Sequence, residues 1–315
     1  MNFQTQIPIQ KSDFPIDYTS KVLSLGSCFA ENMAEKFEYF KFDNVVNPFG
    51  IIFNPISLEK LILRSIHKKY FSESDIFYHN EAWHCYEVHS ELSNPNKEEF
   101  LETLNQLIDS TNWYIEKATH CLITLGTSWV YKHVETNEIV ANCHKVPQKQ
   151  FVKQLLSIVQ IETSLRNIIT EIKAVNPNCN FVFTVSPVRH IKDGFVENNV
   201  SKAHLISALH ALNFKRTASN YFPSYEIIMD ELRDYRFYTE DMLHPNQTAV
   251  DYIWIKFFEN YVDEKEFEVM NQVCDIQKAL HHRPFNPNSE SHLKFLESLN
   301  KKISHLKEKN SHIKF

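Results

Sequence analysis

Three short apolar runs in this chain break off in the same way. Residues 21–25 (KVLSL) end at Gly26-Ser27, residues 119–125 (THCLITL) end at Gly126-Thr127-Ser128, and residues 180–185 (NFVFTV) end at Ser186-Pro187. Apolar runs of this length, bounded by turn residues, read as buried strands. The stretches between them have helical spacing. Phe29, Met33, Phe37 and Phe40 mark one helix, and residues 58–66, 98–115 and 151–175 read as three more. Buried strands alternating with helices specify an α/β fold, a parallel sheet covered on both faces. A fourth strand is expected at 225–229, a helix over 201–220 with Ser201 or Asn199 at its cap, and a helix opened by Pro245 and running to about Tyr261. Residues 76–89, around Asn80-Glu81, and 129–141, around Thr136-Asn137, read as two small inserted hairpins. Two helices at 264–280 and 291–309 follow, so the chain divides into an α/β domain at 1–262 and a helical extension at 263–315.

Composition narrows the function. Acidic residues outnumber basic ones by 39 to 33, a net charge of −6, which argues against a nucleic-acid partner. No apolar run is long enough to span a bilayer, and the N-terminal stretch lacks the basic and apolar regions of a secretory signal. A cytoplasmic protein without a membrane partner is expected. The six cysteines form no C-x-x-C pair, and Trp83-His84-Cys85, Cys143-His144 and His281-His282 lack metal-ligand spacing. No metal and no cofactor is expected. Glycine is scarce, with only four, so each marks a backbone geometry that other residues avoid: Gly26, Gly50, Gly126 and Gly194.

Ligands of open α/β sheets sit at the carboxyl ends of the strands. Three reactive stretches fall there. Ser27 lies between a strand and a helix N-terminus, where its hydroxyl and nearby backbone N–H groups point to one place. A serine needs a base to become a nucleophile. His244 is the candidate base, and Asp241, three residues earlier, can hold its Nδ1. Candidate oxyanion donors are the N–H groups of Ser27 and Gly50 and the hydroxyl of Thr127 or Ser128. Arg189 and His190, after the third strand, are candidates for binding an anionic or polar substrate group, and Asn47 is a further candidate for substrate contact. Each has a plainer reading: Ser27 as a helix cap, residues 186–202 as turns and caps, and Trp83, Trp129 and Tyr131 as core rather than sugar-stacking rings. Cys28 is the rival nucleophile, though one step into the helix it is expected to face inward.

Gly26-Ser27-Cys28-Phe29-Ala30 spells the signature of the GSCFA family, which resembles the SGNH (GDSL-like) hydrolases. The resemblance continues through Asn47-Pro48-Phe49-Gly50, Leu125-Gly126-Thr127-Ser128, Ser186-Pro187-Val188-Arg189-His190 and Asp241-Met242-Leu243-His244-Pro245. It covers about residues 20 to 260. It implies a three-layer α/β/α sandwich and a Ser27, Asp241, His244 catalytic set, with Gly50 matching the glycine oxyanion donor. Two departures stand out. No aspartate separates Gly26 from Ser27, and Ser128 occupies the place of the third-block asparagine, a hydroxyl shorter than the usual amide.

The expected function is ester hydrolysis or acyl transfer through an acyl-Ser27 intermediate, with O-deacetylation of a carbohydrate-like substrate as the more specific form. A small-molecule or glycan-like ester is then the partner. The alternatives are a catalytically weak or inactive binding module on the same fold and a thiol enzyme using Cys28.

Overall fold

The computed structural model describes residues 4–212, 219–310 and 313–315. Its centre is a parallel sheet of five strands: β1 (Lys21–Gly26), β2 (Asp43–Val46), β5 (His120–Leu125), β9 (Asn180–Val185) and β10 (Ser219–Phe222). Their spatial order is β10-β9-β5-β1-β2. The chain moves from β1 outward to β2 and then back to β5 on the other side, so the strand order reverses between β1 and β5. Clefts form at such reversals.

Both faces of the sheet are covered. Leu23, Leu25, Ile123, Leu125, Phe181 and Phe183 alternate onto one face, where they pack with α2 (Pro55–Ile66), α3 (Lys97–Lys117), α4 (Ile158–Val175) and α5 (Phe195–Ala211). Val22, Leu122, Val182 and Phe222 face the other way, onto α1 (Cys28–Tyr39), α6 (Gln247–Tyr261) and α7 (Phe267–Leu280). The result is the three-layer α/β/α sandwich. Helix α8 (Glu290–Lys309) contributes Leu299 and Leu306 to this second core, and Ile313 joins them. The C-terminal helices therefore share a core with the sheet's second face.

The two hairpins form as expected. β3 (Phe77–His79) pairs with β4 (Ala82–His84), and β6 (Trp129–His133) pairs with β7 (Ile139–Val140). The second hairpin gains a third strand, β8 (Phe151–Leu155), which occupies the start of the helix expected over 151–175. The strand expected at 225–229 is instead a helical turn (Ser224–Glu226) that widens into a π-helix (Ile227–Glu231), and the strand itself is Ser219–Phe222. The helix expected from Ser201 starts six residues earlier, so Ser201 and Asn199 lie inside it and cap nothing; the stretch of that expected helix at 213–218 lies outside the described residues. Asn246, rather than Pro245, sets the start of α6, its side chain accepting from the Ala249 N–H. Among the described residues, no helix is long and apolar enough to cross a membrane.

Candidate active site at the carboxyl ends of β1 and β5

Gly26 makes the first turn possible. Its φ is +130°, and a Cβ there would sit 2.1 Å from the Thr124 carbonyl oxygen of the neighbouring strand. Only glycine satisfies both conditions. The chain then turns at once into α1, with Ser27 as its cap: Ser27 Oγ accepts from the Phe29 N–H at 3.3 Å. Ser27 is 1% exposed and forms part of the floor of a cleft of about 610 Å³.

His244 lines the same cleft. Its loop is closed by its own hydrogen bonds. Asp241 Oδ1 accepts from the Thr239 hydroxyl at 2.7 Å, the Leu243 N–H at 2.8 Å and the His244 N–H at 3.0 Å. Met242 takes a left-handed φ of 61°, which folds the chain back so that the ring returns over the carboxylate. Asp241 Oδ2 then lies 2.5 Å from His244 Nδ1. A carboxylate only accepts, so the neutral ring carries its proton on Nδ1 and leaves Nε2 as the base. The backbone N–H of His244, with the Thr239 hydroxyl next, holds the Asp241 carboxyl well below the usual carboxylate range. Ser27 and His244 thus share one cleft, but no hydrogen bond joins them here.

The expected oxyanion donors fare differently. The Ser27 N–H donates to Thr124 O at 3.0 Å, and the Gly50 N–H closes a turn onto Asn47 O at 2.7 Å. Both amides are committed, and Gly50 does not line the cleft. Ser128 is fully buried, its hydroxyl donating to Ser201 O at 3.0 Å, and it too is absent from the cleft wall. Thr127 reaches the cleft, but its hydroxyl bonds Ser201 Oγ at 2.8 Å and accepts from the Trp129 N–H at 3.1 Å. Asn47 is a scaffold residue: buried, it receives the Gly26 N–H on Oδ1 at 2.8 Å and donates to Glu31 at 3.2 Å. These roles correct the sequence reading for Gly50, Ser128 and Asn47, and for the Ser27 amide.

One amide at the turn is bound to no other residue. Cys28 is the first residue of α1, and its N–H reaches no backbone carbonyl among the described residues, only its own thiol. Helix starts leave such donors open, and the residue after a nucleophile is the usual source of an oxyanion N–H at a strand-to-helix turn. Cys28 itself lines the cleft and is half-buried. Burial, followed by the nearby Glu31 charge, raises its thiol above the ordinary value, with Lys202 opposing. A raised thiol is a poor nucleophile at neutral pH.

Arg189 and His190 both line the cleft. The Arg189 N–H donates to Leu243 O at 3.2 Å and so ties this loop to the one carrying His244. The His190 ring stacks on Phe53 with centroids 5.3 Å apart, and its Nε2 is buried without a partner. Burial, with the Lys202 and His244 charges, pushes its pKa down to about 3. It is neutral in the physiological range. Trp129 and Tyr131 stand in the cleft wall, whereas Trp83 does not.

Two residues of α5 escaped the sequence reading. Ser201 Oγ bonds Thr127 Oγ and the Ser128 N–H, each at 2.8 Å, and so anchors the turn after β5. Lys202 is 1% exposed and donates from Nζ to Gly126 O and Ser186 O, each at 2.8 Å. Burial lowers its amine to about 7, against the opposing charges of Cys28 and Glu226. The available signal was periodicity: Asn198, Ser201, Lys202, Leu205, Ala208 and Leu209 make up the buried face of α5, and Lys202 falls on it.

The arrangement joins the five sequence blocks into one structure. The family model of the GSCFA family matches residues 21–257. The chain belongs to the GSCFA family. A second model, the C-terminal domain of GSCFA domain proteins, matches residues 273–315, which span the end of α7 and all of α8. No curated protein matches the chain. All the side chains discussed above lie within the first matched segment. Among the described residues, no group of three or more histidine, cysteine or acidic side chains could hold a metal ion.

Proposed function

We propose that this GSCFA protein transfers an acyl group from an ester through Ser27. The observation that carries the reading is the Asp241–His244 pair, closed at 2.5 Å in a cleft whose floor holds a serine at a helix start. In the proposed reaction Ser27 Oγ leaves the Phe29 N–H, passes its proton to His244 Nε2 and attacks the ester carbonyl. Asp241 stabilises the imidazolium that forms. Negative charge on the carbonyl oxygen gathers at the N-terminus of α1, where the Cys28 N–H is tied to no backbone carbonyl. His244 then protonates the departing alcohol. Water or a second alcohol, deprotonated by the same ring, releases the acyl group. Trp129 and Tyr131 in the wall suit a carbohydrate-like ester. Six free cysteines suit a reducing compartment, and we assign the protein to the cytoplasm on that ground.

A second reading is a binding module without turnover. It is favoured by the commitment of the Ser27 and Gly50 amides to backbone carbonyls. Hydrolysis of para-nitrophenyl acetate by the wild type and by Ser27→Ala separates the two. Acyl transfer predicts activity in the wild type and its loss in the variant; equal rates favour the binding module.

A further inference from the structure

The cleft carries two cationic side chains that have no ion-pair partner among the described residues. The Arg189 guanidinium is half-buried, with the Phe195 ring 5.4 Å away, and makes no hydrogen bond or ion pair among the described residues. Lys192 lines the same cleft and is equally unpaired. The nearby aspartates each have a hydrogen-bond or ion-pair partner. Asp193 pairs with Lys153, Asp241 with His244, Asp230 with Arg233 and Asp234 with Arg236, while Glu197 is folded against Gly194. Two unpaired cations in one cleft are notable in a chain of net charge −6. Arg189 also stands between that cleft and a second hollow of about 180 Å³, walled by Met229, Arg233, Asp234, Tyr235 and Tyr238. Burial raises the Tyr225 and Tyr238 phenols and the Arg189 charge opposes this, so both phenols lie within its field.

We propose that Arg189 holds an anionic group of the substrate, a carboxylate or a phosphate, so that the site takes acidic esters in preference to neutral ones. The inference rests on the reading of this cleft as the substrate site. A guanidinium offers five donors in a fixed fork, which matches a carboxylate or phosphate edge with two parallel hydrogen bonds. In a partly closed cleft such a contact is worth about tenfold or more in affinity. Lys192, at the rim, adds attraction that salt weakens.

Isothermal titration with D-glucuronate, inorganic phosphate and D-glucose tests this without needing turnover. One of the two anions is expected to bind at least about tenfold tighter than glucose, in wild type and in Ser27→Ala alike. Which anion does so separates carboxylate from phosphate. Arg189→Gln is expected to abolish the preference, and Arg189→Lys to retain part of it. Thermal melts show whether either variant is folded; with no hydrogen bonds to lose, Arg189→Gln should melt like the wild type. Equal or absent binding of charged and neutral probes overturns the proposal, as does a preference that survives Arg189→Gln. A preference found in a protein without ester hydrolysis would sustain the anion site while removing the acyl-transfer reading.

Discussion

Lys202 Nζ and the Gly126 carbonyl oxygen lie 2.8 Å apart, and the same amine reaches Ser186 O at the same distance. One buried side chain thus joins the ends of β5 and β9, the strands that deliver Thr127 and the Arg189–His190 pair to the cleft. The unfolded chain keeps this amine near 10.5, whereas burial brings it to about 7 in the fold. Between those values the unfolded chain holds more protons, so this group makes stability rise with pH. Below about 7 its burial penalty is felt in full. Replacing it with Met removes the slope. Urea unfolding at pH about 7 and about 10 should show the wild type gaining stability relative to Lys202→Met at the higher pH. A constant gap would contradict the lowered amine.

Gly26→Ala should be among the most damaging single changes. The added Cβ meets Thr124 O at 2.1 Å, and φ is +130°. Neither chain can give way, because the contact is between backbones of paired strands. A loss of about 3 kcal/mol or more in urea unfolding is expected, or no folded protein at all. A loss below about 1 kcal/mol would mean that the turn relaxes freely.

Much of this architecture was legible in the sequence because it rests on local signals. The runs at 21–25, 119–125 and 180–185 and both hairpins are set by side-chain pattern and turn residues. The errors arose where the pattern is ambiguous. The run at 225–229 is apolar enough for a buried strand, yet it is helical, and short apolar runs do not separate the two. Residues 151–155 merged with a helix that follows after only two residues, and β2, short and half-buried at the sheet edge, gave no distinct signal. The site divides in the same way. Asp241 and His244 sit in one loop, so their spacing alone suggested a pair. The commitment of the Ser27 amide to Thr124 O and of Ser128 to Ser201 depends on partners 97 and 73 residues apart in the chain, and no spacing rule encodes that.

Ser128 provides a test of the corrected oxyanion assignment. Its hydroxyl holds Ser201 rather than facing the cleft. Ser128→Ala should therefore lower stability by about 1 kcal/mol and leave turnover within about threefold of wild type. An oxyanion role would instead cost about 10²–10³ in kcat with little change in stability. Steady-state kinetics beside a urea melt distinguishes the two.

His190 should make the fold acid-sensitive. Burial, Lys202 and His244 lower its pKa from 6.5 to about 3, so it stays neutral in the fold while the unfolded chain takes up a proton below 6.5. The stability this neutral ring contributes is complete above pH 6.5 and is lost as pH falls toward about 3. His144, lowered to about 4 by burial first, adds to the same trend. Thermal melts across this range should show a shallower acid loss for His190→Gln than for wild type. Identical slopes would mean that the His190 ring titrates normally.

Covalent labelling tests the central claim most directly. A fluorophosphonate reacts preferentially with a serine that a base has activated. Incubation of the wild type, followed by peptide mapping by mass spectrometry, should place the adduct on Ser27. His244→Ala should lose most of the labelling, and Asp241→Asn should slow it by about 10³-fold or more, since the ring would lose its tautomer and its hold. An adduct on Cys28 or on any other side chain, or labelling of Ser27 that His244→Ala leaves untouched, would contradict the account.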